Sequence, residues 1–117
     1  MFSGIAINVS GLNAFGKKMA VIANNVANVN SEKFEKSRVI LKEGDNGNVS
    51  VDILKTKTIE NSVAAKKDDK SVNNQASNVN LVEEFTQSII TKRCYQANVT
   101  SIRTQDEMLG YLLDIKQ

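Results

Sequence analysis

The sequence predicts a mainly α-helical protein in which two long terminal helices pair as an antiparallel coiled-coil-like hairpin, with a small β-hairpin and a flexible connector in the middle. Three observations predict this fold class. Both ends of the chain carry apolar residues at seven-residue spacing, which is typical of helices that lie along other helices. The middle changes to period-two alternation around an Asn-Gly pair. The chain of 117 residues is long enough for one small domain.

The first predicted helix belongs to the N-terminal segment, residues 1–31. Ser3 can cap its first backbone amides, and a run of asparagines disfavours helix near its end, which we expect between Asn28 and Asn30. Lys17 and Lys18 are the only charges in this segment, so several sides of the helix should be buried. The predicted interface residues of this helix are Ile5, Leu12, Phe15, Met19, Ile22, Val26 and Val29.

Three glycines inside the predicted helices are candidates for close contact with another helix. Gly11, Gly16 and Gly110 each lower helix stability by up to ~1 kcal/mol relative to alanine. Glycine at such positions is favourable where a second backbone approaches closely. The alternative is that these glycines only make the helices weaker.

The middle segment, residues 32–76, predicts one β-hairpin followed by a connector. Apolar and polar residues alternate between Ser37 and Lys55, and Asn46 and Gly47 suit the left-handed positions of a tight turn. A two-stranded hairpin alone is marginally stable, so it must pack on the helices or on a neighbouring subunit. Residues 56–76 have few large apolar side chains and predict a flexible connector.

The second predicted helix belongs to the C-terminal segment, residues 77–117, and is expected over residues 81–116. Asn80 is a good N-cap, and Glu83 is placed to bond back to it as in a capping box. Ser88, Lys92 and Asp106 interrupt its apolar repeat, either to fix register or because the helix there faces water. The predicted interface residues are Leu81, Phe85, Tyr95, Val99, Ile102, Leu109 and Leu113.

Composition excludes most enzyme and ligand-binding classes. The net charge of +2 is too small for a nucleic-acid footprint, and the absence of histidine with a single Cys94 leaves no usual metal site, cofactor site or catalytic residues. Residues 11–18 approach a phosphate-binding loop, but Lys18 replaces the final hydroxyl residue and no strand precedes the run. We therefore expect no enzyme, cofactor, metal, nucleic acid or small-molecule ligand. The sequence shows no Sec-type signal peptide and no apolar run of ~18 residues, so neither Sec secretion nor membrane insertion is expected.

Motifs at both ends resemble the axial proteins of the bacterial flagellum, the rod and hook proteins of the basal body. The N-terminal likeness rests on Ser10-Gly11-Leu12 and on residues 23–28; the C-terminal likeness rests on residues 77–79 and on Tyr95-Gln96-Ala97-Asn98. The positions assigned to the family motif are Ala23, Asn24, Asn25, Ala27, Asn28, Asn78, Arg93, Ala97 and Asn98. The family often has glycine where this chain has Lys33. The short middle is similar to that of a short proximal rod protein, whereas the C-terminal motif is more similar to the distal-rod and hook branch of the family.

This resemblance implies a structural subunit of the basal-body rod that the flagellar type III apparatus exports unfolded. Its terminal helices would line a tube and pack against copies of itself and other flagellar axial proteins, while the middle segment faces outward. The location implied is the flagellar basal body, across the periplasm. The alternative is a soluble coiled-coil interaction module such as an export chaperone or adaptor.

Overall fold

The computed structural model describes residues 2–57 and 76–115 as a helical pair with a β-hairpin along one side. Helix α1 covers Phe2–Ala27 and helix α2 covers Leu81–Asp114. Strand β1, Ser37–Glu43, pairs antiparallel with strand β2, Val49–Lys55, and the register joins Ser37 to Lys55 and Glu43 to Val49. The molecule is elongated, with extents of 85 × 25 × 16 Å. The predicted mainly α fold class is confirmed.

Local signals set the ends of the helices. The side chain of Asn80 accepts hydrogen bonds from the backbone amides of Val82 and Glu83, which confirms it as the N-cap of α2. Helix α1 ends one residue before the expected limit, where the Asn28 side chain donates to the Asn24 carbonyl at 2.9 Å. This bond shows why asparagine ends a helix, since its amide competes for backbone partners. Most of the predicted connector, residues 58–75, lies outside the described residues, as does Lys116.

Two turns place non-glycine residues in the left-handed region. Asn46 has φ 64° and Gly47 has φ 77°, so the hairpin turn forms where the Asn-Gly pair predicted it. Lys33 has φ 58° in the chain reversal after α1. Because a Cβ makes this conformation cost ~1–2 kcal/mol, lysine is a less favourable residue there than glycine. The chain nevertheless makes the turn.

The two helices run antiparallel in a fixed register. A Cβ built on Gly4 would lie 2.9 Å from Nε2 of Gln105, and one built on Gly11 would lie 2.7 Å from Nδ2 of Asn98. Between them, the Asn8 amide donates to Ser101 Oγ at 3.1 Å and to Gln105 Oε1 at 3.3 Å. Along both helices these contacts are spaced by four and then three residues, so they form one continuous seam. In this seam glycines and an asparagine of α1 meet polar residues of α2.

The core of the described residues is small. Ala14 and Ile22 are its buried apolar side chains, and Asn25, Glu84 and Thr91 are buried beside them. Among the described residues, every fully buried side-chain polar atom has a hydrogen-bond partner. Hydrogen-bonded polar side chains between the helices therefore hold the pair together more than a hydrophobic core does.

Candidate assembly surface

A neighbouring molecule could bind on the side of the helix pair that does not contact the β-hairpin. Helix α1 presents Leu12, Phe15, Met19 and Ala23 there, and α2 contributes Tyr95, in two adjoining grooves. We call this side the groove face. Its apolar residues follow the predicted seven-residue repeat. Leu12, Phe15 and Met19 of the α1 repeat and Tyr95 of the α2 repeat lie on this side, whereas Ile22 is buried beside the β-hairpin.

Burial separates the interface residues that the sequence predicted into three groups. Ile22 is buried within the chain itself. Half-buried are Ile5, Leu12, Phe15, Met19, Val26, Val29, Ile102 and Leu109. Exposed are Leu81, Phe85, Tyr95, Val99 and Leu113, with Phe85 at 56% and Leu113 at 71%. Apolar side chains exposed in this number along one element mark an interaction surface.

A different line of α2 residues contacts α1. Its residues Asn98, Ser101 and Gln105 contact Gly11 and Asn8, and the buried residues Glu84 and Thr91 precede Asn98 in steps of seven. Sequence reasoning followed the neighbouring apolar line and missed this polar one. The signal was present, because the polar spacing is as regular as the apolar spacing.

The predicted glycine contacts differ in their surroundings. Gly11 is buried against the side chain of Asn98, and the group that approaches it is an amide and not a backbone. Gly16 and Gly110 have nothing within 4 Å of a built Cβ, among the atoms that the structure describes. Within the described residues, no second helix therefore approaches these two glycines closely. Gly4, which also lies inside the predicted helix, packs against the side chain of Gln105.

Two asparagines of the family motif tie the β-hairpin to the helices. The Asn25 side chain, only 1% exposed, donates to the Ser37 carbonyl at 2.8 Å and accepts from the Ser37 amide at 2.9 Å. Its amide thus replaces a neighbouring strand at the start of β1. Asn78 accepts from the Lys36 amide at 2.7 Å and donates to the Thr56 carbonyl at 2.8 Å, closing the same end of the hairpin.

The other end of the hairpin is anchored by Ser10. Its hydroxyl donates to the Ile7 carbonyl at 2.7 Å and accepts from the Val49 amide at 3.0 Å. Ser10 and Asn25 are 15 residues apart on α1, or ~22 Å at ~1.5 Å per residue. Anchors at both ends hold the hairpin along α1, so its direction relative to the helix pair is fixed.

Among the described residues, the remaining motif residues make no such contact to the hairpin. Asn98 lies in the helix seam and Asn28 caps α1. Exposed on the helices are Ala23, Asn24, Ala27, Arg93 and Ala97. Ala23 lines the groove face.

An ion-pair cluster joins α2 to β1. The carboxylate of Glu83 accepts from Lys36 Nζ at 2.8 Å and from Arg38 Nη2 at 3.1 Å. The expected capping box is therefore wrong in one half, because charge-assisted partners hold the Glu83 carboxylate away from Asn80. The hydrogen bond from Lys36 is the main cause that lowers the pKa of Glu83 below its ordinary value of 4.5, with partial burial opposing it and the charges of Lys36 and Arg38 adding to it.

A lowered pKa predicts how the Glu83 cluster responds to acid. The cluster stabilises the folded chain above the unfolded value near 4.5 and loses this effect as pH falls through the lower folded value. We expect Glu83→Gln to reduce stability at pH 7, with the difference from the parent shrinking below pH 4.5. Urea unfolding at neutral and acidic pH measures this. Glu107→Gln is the control, since Glu107 pairs with Arg103 on an exposed surface. If the effect of Glu83→Gln on stability did not depend on pH, the prediction would be contradicted.

The described residues contain no group of three or more metal-ligating side chains and no helix long and apolar enough to cross a bilayer. Two family models match the chain at its ends. The model described as flagella basal body rod protein matches residues 5–34, and the model described as flagellar basal body rod FlgEFG protein C-terminal matches residues 73–115. The chain belongs to the flagellar rod and hook family. Both models describe structural proteins of the flagellum, and their two matches include α2, all of α1 after Gly4, and the asparagines that anchor the hairpin.

Similarity to a hook protein agrees with the membership of the chain in this family. The flagellar hook protein FlgE of Borreliella burgdorferi is 43% identical over 42 residues, which are 36% of this chain. The matched segment spans a tenth of that hook protein's length. The likeness therefore concerns a shared segment and not the whole of the larger protein.

Proposed function

We propose that this protein is a structural subunit of the flagellar basal-body rod. Residues 1–31 and 77–117 form the helical core that packs against copies of the chain and other flagellar axial proteins, and residues 32–76 face outward. The subunit has no enzymatic activity and transmits torque through helix contacts. The observation that carries this proposal is the groove face, where apolar residues of α1 and Tyr95 of α2 line two grooves to which no other described element contributes.

The small core supports export in an unfolded state. With Ala14 and Ile22 as the buried apolar side chains of the described residues, the isolated subunit has little hydrophobic stabilisation to lose on unfolding. A marginal fold suits passage through the flagellar type III apparatus to the basal body. Stability then comes from contacts made on assembly.

The proposal predicts that a charge on the groove face blocks assembly and leaves the monomer folded. Tyr95 is 43% exposed, so Tyr95→Asp costs little in the single chain. In an assembled dry contact the same charge costs several kcal/mol. We expect Tyr95→Asp to keep the helicity of the parent by circular dichroism and to be absent from purified basal bodies.

Gln96→Asp is the matched control, because it adds the same charge at the next, exposed position. Equal incorporation of Tyr95→Asp and Gln96→Asp would contradict the proposal. Light scattering of the purified chain separates the alternative, since an adaptor forms a closed dimer or small oligomer, whereas a rod subunit stays monomeric or polymerises open-endedly.

A further inference from the structure

The last two turns of α2 extend past the start of α1. In the helix register Gly4 faces Gln105, and α1 begins two residues earlier at Phe2. In the part of the chain that the structure describes, residues 108–115 have no α1 residue opposite them, and we call them the C-terminal overhang. Six of its eight residues are apolar: Met108, Leu109, Tyr111, Leu112, Leu113 and Ile115.

The overhang is apolar on most of its circumference. At 100° per residue its two other members, Gly110 and Asp114, lie above one another on one side, and the six apolar residues occupy the rest. Tyr111 is 71% exposed and Ile115 is 81% exposed. A helix end with this pattern is buried on several sides in its working state.

The groove face offers an apolar site of matching size. A groove of about 410 Å³ is lined by Phe15, Gly16, Met19, Ala20, Ala23 and Tyr95, with Lys92 at its edge. An adjoining groove, which is lined by Val9, Leu12, Asn13, Gly16, Lys17 and Tyr95, continues it toward the N-terminal end of α1. From Leu12 to Ala23 the α1 backbone runs ~17 Å, and the eight residues of the overhang span ~12 Å.

The overhang cannot reach the groove of its own chain. It continues α2 away from Phe2, while the groove starts at Val9, seven residues inside α1, or ~10 Å from that end. Both pieces are parts of rigid helices. An overhang that lies in the groove must therefore belong to another copy of the chain.

Charge favours a second copy as that occupant. The overhang carries Asp114 on its polar side, and the groove carries Lys17 and Lys92. We propose that the C-terminal overhang of one copy lies in the groove of the next, with Asp114 beside these lysines. Such a contact joins two different surfaces, so it repeats from copy to copy without closing. It rests on the proposed function and names the partner surface of the groove face.

Two variants test this contact in one mixture of full-length chains. Gly16→Leu fills the groove floor, where a built Cβ meets nothing, and leaves the overhang intact. Leu112→Asp breaks the apolar surface of the overhang at a half-exposed position and leaves the groove intact. We expect each variant alone to need a concentration raised about 100-fold to assemble. Their equimolar mixture should form a one-to-one dimer that does not grow.

Sedimentation velocity measures both the concentration at which each variant assembles and the size of the species in the mixture. Thr100→Asp is the control, because it adds the same charge on the side of α2 opposite buried Thr91 and should assemble as the parent does. A parent that remains monomeric at millimolar concentration, a mixture that stays monomeric, or a single variant that assembles like the parent overturns the proposal.

The same variants separate this contact from the proposed function. If Leu112→Asp still enters purified basal bodies at the parental level, the rod assignment holds and the overhang contact is wrong. If the mixture gives the dimer but the parent is absent from basal bodies, the contact holds and the rod assignment is wrong.

Discussion

Replacing Asn25 with leucine is expected to release the β-hairpin from the helix pair and to destabilise the chain by about 2–4 kcal/mol. The buried Asn25 amide makes two hydrogen bonds to one residue of β1, the amide and carbonyl of Ser37. Leucine fills a similar space but satisfies neither group. Because unpaired backbone groups that cannot reach water cost more than the bonds themselves contribute, the loss is larger than a surface change would produce.

Amide hydrogen exchange measures this loss directly. Protection of β1 and β2 should fall by roughly 30-fold or more, since every ~1.4 kcal/mol is a factor of ten. Asn24→Leu is the matched control, because it makes the same replacement at the exposed neighbouring position. Equal losses in the two variants would show that the contact between Asn25 and Ser37 does not hold the hairpin.

Replacing Gly11 with leucine is expected to open the helix seam in the single chain. Helix propensity alone predicts the opposite, a gain of ~0.8 kcal/mol. In the structure even a Cβ at this position would lie 2.7 Å from Nδ2 of Asn98, so a leucine must displace that side chain or part the helices. Overpacking of this kind costs ~1–3 kcal/mol, which exceeds the propensity gain.

Gly16→Leu provides the comparison for this prediction. The same replacement on the same helix meets open space there, so it should raise monomer helicity by circular dichroism while Gly11→Leu lowers it. A second test uses the smaller change Gly11→Ala. If the two residues are in contact, adding Asn98→Ala should partly restore the stability that Gly11→Ala removes. Independent effects of these two alanine changes would show that the clash lies elsewhere.

Several local features could be predicted from the sequence because they depend on neighbouring residues. Asn80 caps α2 through amides two and three residues ahead. Asn46 and Gly47 make the hairpin turn because both tolerate a positive φ. The seven-residue spacing identified the helices and the apolar residues that lie on the groove face. These signals need no knowledge of the rest of the chain.

Contacts between distant residues could not be predicted in this way. Glu83 has the spacing of a capping-box residue, and only the approach of Lys36 and Arg38 decides where its carboxylate binds. The hydrogen bonds of Asn25 to Ser37 join residues that no periodicity relates. Lys33 adopts a positive φ in the chain reversal, although its residue type disfavours this.

Residue type and spacing are enough to identify the elements, their apolar faces and the resemblance to flagellar axial proteins. Which faces meet within one chain depends on the contacts between distant residues. A seven-residue repeat identifies the apolar side chains that must be buried, but it does not identify the molecule that buries them. Gly4 and Gly11 let the helices approach along the polar line of Asn98 and Gln105, and this register leaves much of the apolar line and the overhang exposed. Close packing of small and polar residues thus holds the single chain, and the apolar surface is left for its neighbours.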